Sequence, residues 1–98
     1  MMTEMSKLIL TLWNLDIPAE VIIDVMGNKH IRYPEATSWI CDVVSNEFTY
    51  GGSEGLLEIM GLVDEEATGD EVEGWLTANE VASRIASHYF GMNITIED

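Results

Sequence analysis

Two properties of this chain pull in opposite directions, and their coexistence limits what it can fold into. Eighteen acidic residues against four lysines and arginines give a formal charge of −14, yet 47% of the residues are hydrophobic. High charge with low hydrophobicity predicts disorder, whereas three tryptophans, three tyrosines and many Ile, Leu and Val supply enough apolar area to offset the entropy of ordering the chain. A compact core beneath a strongly anionic surface is expected. With 98 residues, the chain has room for one domain, residues 1–98, and no second.

The lone cysteine, Cys41, has no internal disulfide partner, and the first residues lack the cationic, apolar and small-residue segments of a secretory signal. The apolar run Leu8–Ile9–Leu10–Thr11–Leu12–Trp13 falls far short of the roughly 20 residues needed to span a membrane. A soluble, cytoplasmic protein is expected, without membrane association. The sequon Asn93–Ile94–Thr95 then has no role.

Helical spacing dominates the reading. Met5, Leu8, Ile9, Leu12 and Trp13 recur at intervals of three and four. Pro18 restarts the chain after a break, and a short helix to about Met26 places Ile22, Val25 and Met26 inward, with Gly27 to end it. Asn28–Tyr33, with Lys29, His30 and Arg32, reads as a connector. Pro34 and Glu35 then open a helix on which Ala36, Trp39, Ile40, Val43 and Val44 form a stripe, a pattern that usually marks core. After the turn Thr49–Gly52, Ser53 is placed to cap a helix carrying Leu56, Leu57, Ile59 and Met60. The acidic stretch Val63–Glu73 reads as a loop. Thr77–Ala78–Asn79–Glu80 is a capping box for a last helix with Val81, Ile85 and Tyr89 on one face and Gly91 at its end. Asn93–Ile96 reads as a short strand or an ordered tail. The expected fold is an all-α bundle of four or five short helices whose core contains Trp39, Ile40, Val44 and Ile85.

Motifs for catalysis or cofactor binding do not hold up against their context. Gly51–Gly52–Ser53–Glu54–Gly55 matches the Gly-x-Ser-x-Gly nucleophile elbow, but that motif needs a strained strand-to-helix turn on a large sheet, and a glycine loop is the simpler reading. No lysine follows these glycines as a phosphate loop requires, and Glu54 and Glu58 would repel a nucleotide. Residues 64–75 have acids at loop positions one and three and glycine at six, as in a calcium loop, but Trp75 stands where the bidentate glutamate belongs. Cys41, His30 and His88 are too few and scattered for zinc, and Cys41 beside the expected core stripe reads as a structural thiol. No enzyme activity, cofactor or metal is expected.

Charge is the remaining signal, and it is uneven. Residues 51–98 carry eleven acids and one base, and no lysine or arginine lies between Arg32 and Arg84. Glu54, Glu58, Asp64, Glu65, Glu66, Asp70, Glu71, Glu73 and Glu80 therefore lack a counter-charge nearby in sequence. Solubility accounts for a net charge of only about 2–8 on a small domain. Either the cluster is a solvated face, or the first eight of these acids form a docking surface for a basic partner. Carboxylates cannot bind nucleic acid directly, but they can occupy the groove of a protein that does.

Small size, low pI, helical patterning and uncompensated acids together resemble phage-encoded DNA-mimic inhibitors, the anti-CRISPR and anti-restriction proteins. The segments Gly55–Gly61 and Gly74–Val81 are also similar to stretches in small proteins of phages and mobile elements. The resemblance implies an inhibitor of a host nucleic-acid-binding complex. A different class, a structural or adaptor protein binding through apolar helix faces, is the alternative.

Overall fold

The computed structural model describes residues 2–64 and 71–97. The chain runs α1 (Glu4–Asn14), β1 (Glu20–Ile23), β2 (Lys29–Tyr33), β3 (Cys41–Val44), β4 (Leu57–Met60), β5 (Val72–Leu76) and α2 (Ala78–Phe90). The five strands form an antiparallel meander in sequence order, and α1 and α2 pack against each other. The fold is α+β, which overturns the all-α bundle.

The two terminal helices form where local signals specify them. Thr3 caps α1 by accepting the Ser6 N–H at 3.1 Å, and Leu8 and Leu12 are fully buried one turn apart. The capping box on α2 is present in both directions, with Thr77 accepting the Glu80 N–H and Glu80 accepting the Thr77 N–H, and Gly91 ends the helix in the left-handed conformation. The Glu4 carboxylate also accepts the Ala78 N–H at 2.8 Å, which joins the two helix N-termini. Trp13, expected on the buried face, is exposed.

Between the helices, the expected helical segments are hairpins. Residues 18–26 become β1 and its turn, because the β-branched run Val21–Ile22–Ile23 suits a pleated surface and Asp24 folds the chain back. The Asp24 carboxylate accepts the N–H groups of Met26 and Asn28, both at 2.9 Å, and Gly27 supplies the positive φ that the reversal needs. The supposed connector 28–33 is β2, alternating Ile31 and Tyr33 inward with His30 and Arg32 outward.

Residues 36–44 are a loop followed by β3. Cys41 and Val43 are buried with a period of two, Trp39 and Val44 are only half-buried, and Ile40 is exposed, so of the four expected core residues only Ile85 is buried. The segment 53–60 is a single 3-10 turn, Gly52–Glu54, leading into β4. Gly51 precedes that turn and no side chain caps it, so Ser53 is not a helix cap.

The core is a single layer between sheet and helices. Ile31, Tyr33, Cys41, Val43, Leu57, Ile59 and Leu76 on the sheet meet Leu8 and Leu12 of α1 and Val81, Ala82, Ile85 and Ala86 of α2. After α2 the chain continues as an extended tail, with Ile94 and Ile96 against this core. Two serines one turn apart on α2 hold it: Ser87 Oγ accepts the Ile94 N–H at 2.9 Å, and Ser83 Oγ accepts the Ile96 N–H at 2.8 Å.

Candidate functional site

The expected docking acids have unequal freedom. Glu54 lies exposed on the 3-10 turn, and Asp64 and Glu71 are exposed on either side of the segment that contains Glu65, Glu66 and Asp70, which lie outside the described residues. Glu58 is half-buried on β4, and its carboxylate accepts the Tyr50 N–H at 2.7 Å. Glu73 points toward α2 and forms a two-pronged pair with Arg84 at 2.6 and 2.8 Å, while also accepting the Asp64 N–H. That guanidinium holds the Glu73 carboxyl below its usual range. Glu80 is spent on the capping box. Glu58, Glu73 and Glu80 therefore build the fold, and Glu54, Asp64 and Glu71 lie exposed at the surface.

Among the described residues, Lys7 pairs with Glu4 at 2.9 Å, Arg32 with Asp42 at 3.1 Å, and Arg84 with Glu73. Exposed acids elsewhere, including Asp16, Glu20, Glu35 and Glu47, add to the surplus. The anionic surface thus extends beyond the second half of the chain.

The sheet face turned away from the helices carries a polar network that the sequence reading missed. His30 lies between two carboxylates, with Nδ1 2.7 Å from Asp42 and Nε2 2.8 Å from Asp24. Arg32 Nε donates to the other Asp42 oxygen, its Nη1 donates to the Ala36 carbonyl at 2.9 Å, and the guanidinium lies 5.8 Å from the Trp39 ring centre. Burial pulls the His30 pKa down, but hydrogen bonds to Asp42 and then Asp24 outweigh it, and the net direction is up. The His30 bond, followed by the Asn28 N–H, brings Asp24 down to about 2. Alternation in Lys29–Tyr33 and Cys41–Val44 was the available signal, since it puts His30, Arg32 and Asp42 on one face once both segments are strands.

The groups considered for catalysis sit apart from this network. Cys41 is buried on β3, not on a helix, and burial pushes its thiol up to about 12, which leaves it protonated at neutral pH. Ser53 is exposed on a turn that leads into a strand, and His88 Nδ1 shares a 2.6 Å hydrogen bond with the Tyr33 hydroxyl. A concavity of about 1200 Å³ runs between α2, the tail and Leu62–Val63, with Ser83, Arg84, Ser87 and His88 in its wall. Arg84 and both serines there already hold Glu73 and the tail.

Of the apolar helix residues that an adaptor would use, Leu8, Leu12, Val81 and Ile85 are fully buried, whereas Leu10, Trp13, Tyr89 and Phe90 are exposed. Among the described residues, no helix is long and apolar enough to cross a membrane. No family model matches the chain, and neither a curated protein nor a solved structure matches it.

Proposed function

We propose that this protein is a non-enzymatic inhibitor that acts in the cytoplasm of a bacterial host cell by binding a basic, nucleic-acid-binding complex, in the manner of anti-CRISPR or anti-restriction proteins. The supporting observation is the state of the bases. With Lys7, Arg32 and Arg84 already paired internally, a formal charge of −14 remains to be balanced by counter-ions or by a cationic surface from outside. A groove lined by lysine and arginine meets that condition, and release of the ions held on both surfaces favours the complex. Inhibition is by occupation, with the carboxylates excluding the phosphates that the groove normally holds. Nucleic acid itself is repelled.

The test is capture from bacterial lysate on the immobilised protein, followed by elution with duplex DNA. A nucleic-acid-binding complex that elutes with DNA, and loses its DNA binding when this protein is added back, is the expected result. Captured material that duplex DNA does not displace contradicts the proposal.

A further inference from the structure

One edge of the sheet holds a tryptophan in the left-handed conformation with more than half of its surface in water. The β4–β5 ladder pairs Leu57 with Leu76 but Ile59 with Glu73, so β5 contains one residue more than its partner between these pairs. The irregularity falls at Gly74–Trp75. Trp75 has φ +63°, in the left-handed region that bulky side chains avoid, and its N–H leaves the ladder to donate to the Tyr50 carbonyl at 3.1 Å. Trp75 stays 57% exposed, so more than half of its surface remains in water. A bulge re-aims a side chain, and here it aims an indole at solvent.

Two glycines bring the backbone of a loop that carries two further aromatic residues against the bulge. A Cβ on Gly74 would strike Tyr50 Cβ, and one on Gly51 would come within 2.9 Å of Trp75 Cα, so the 45–51 loop lies directly against the bulge. Glu58 fixes that loop through the Tyr50 N–H, and Asn46 does so through the N–H of Phe48 at 2.8 Å. Tyr50 and Phe48 remain 61% and 88% exposed. The acids of this neighbourhood, Glu47 and Glu54, are exposed, and no lysine or arginine occurs between Arg32 and Arg84.

Resting on the reading of the protein as a ligand for a basic partner, we infer that Trp75, Tyr50 and Phe48 form the anchor that receives an arginine- or lysine-bearing segment of that partner. Aromatic faces attract cations, guanidinium most readily, and the flanking carboxylates raise the local concentration of such groups. Buried aromatic–arginine contacts carry much of the energy of protein interfaces, with charged rims adding rate and orientation. Charge selects this occupant over the others: like charge opposes a second copy of the chain and nucleic acid.

The experiment titrates the whole protein with a nona-arginine peptide by calorimetry, with a nona-glutamine peptide as control. Trp75→Ala should weaken nona-arginine binding about tenfold, Tyr50→Ala and Phe48→Ala each about threefold, and Trp75→Phe should retain most of the affinity. Trp75→Gly keeps the bulge geometry without the indole and should lose as much as Trp75→Ala, which separates a missing contact from a damaged fold. Undiminished binding by Trp75→Ala and Trp75→Gly, with weakened binding by Glu47→Lys/Glu54→Lys, would overturn the anchor and leave the acidic-ligand reading standing. Wild-type protein that does not bind the peptide, or that binds nona-glutamine equally well, overturns both.

Discussion

The two faces of the sheet are made from the same strands and are held by different physics. Toward the helices, Ile31, Val43, Leu57 and Ile59 are buried with Leu8, Leu12 and Ile85, and polar side chains are confined to the margin. On the other face, His30, Arg32 and Asp42 form a bonded row one residue out of phase with Ile31, Tyr33 and Val43. The covered face stabilises the fold by removing apolar area from water, and tolerates little change in volume. The open face gains less per contact, because desolvation of its charged groups offsets much of each pairing, and it can present surplus charge without disturbing the core.

Mutations should separate the faces by size of effect. Ile59→Ala or Leu12→Ala on the covered side should cost about 2–5 kcal/mol in denaturant unfolding, since each removes methyl groups from a fully packed site. Equal losses from Ile59→Ala and from a variant at the open-face residue Val44 would abolish the distinction between the faces. At the margin, Arg84→Met leaves Glu73 half-buried without its two bonds, and should cost about 1–3 kcal/mol at neutral pH. Because pairing lowers the Glu73 pKa, that contribution is present above the ordinary carboxylate pKa and fades as pH falls through the depressed one. The difference between wild type and Arg84→Met should therefore shrink in acid.

A smaller effect is expected at the bulge. Trp75→Gly should change stability by no more than about 1 kcal/mol, because relief of the positive φ offsets the loss of the indole's partly buried area. A larger fall in stability would mean that the exposed indole packs more strongly than its accessibility indicates.

The smallest step belongs to the open face. The folded pKa of His30 is raised, so its protonated form contributes stability below the unfolded value near 6.5, and this is lost as pH rises through the folded value. The desolvation that opposes both hydrogen bonds keeps the step small. His30→Gln should abolish it, as a pH series of unfolding midpoints would show.

The difference in legibility along the chain follows from the range of the interactions. Thr77, Glu80 and Gly91 delimit α2 through bonds between residues close in sequence, so the capping pattern predicts what forms. Strands of four or five residues have no such closure. Ala36, Trp39, Ile40, Val43 and Val44 satisfy helical spacing, while Cys41 and Val43 satisfy alternation in the same window, and only pairing with Tyr33, Ile31 and Ile59 selects the strand. The turn chemistry of Asp24 and Gly27 was present in the sequence and favoured a hairpin over the helix stop assigned to Gly27.

The candidate surface divides in the same way. Exposure of Glu54 and Glu71 follows from local polarity, but the Glu73–Arg84 pair required β5 and α2 to be in place. The backbone contact of Trp75 with Tyr50 was hidden for a related reason, since a left-handed tryptophan at a bulge violates the local preference from which turns are read.

The central claim is that the uncompensated carboxylates are complemented by a cationic partner, and the affinity of the purified complex across a salt series tests it most directly. The account predicts that Kd rises steeply between low and physiological ionic strength, as ions displaced by close charge contacts compete for their return, and that Glu54→Lys/Glu71→Lys reproduces the weakening without added salt. A Kd that is unchanged both by salt and by those reversals would contradict it.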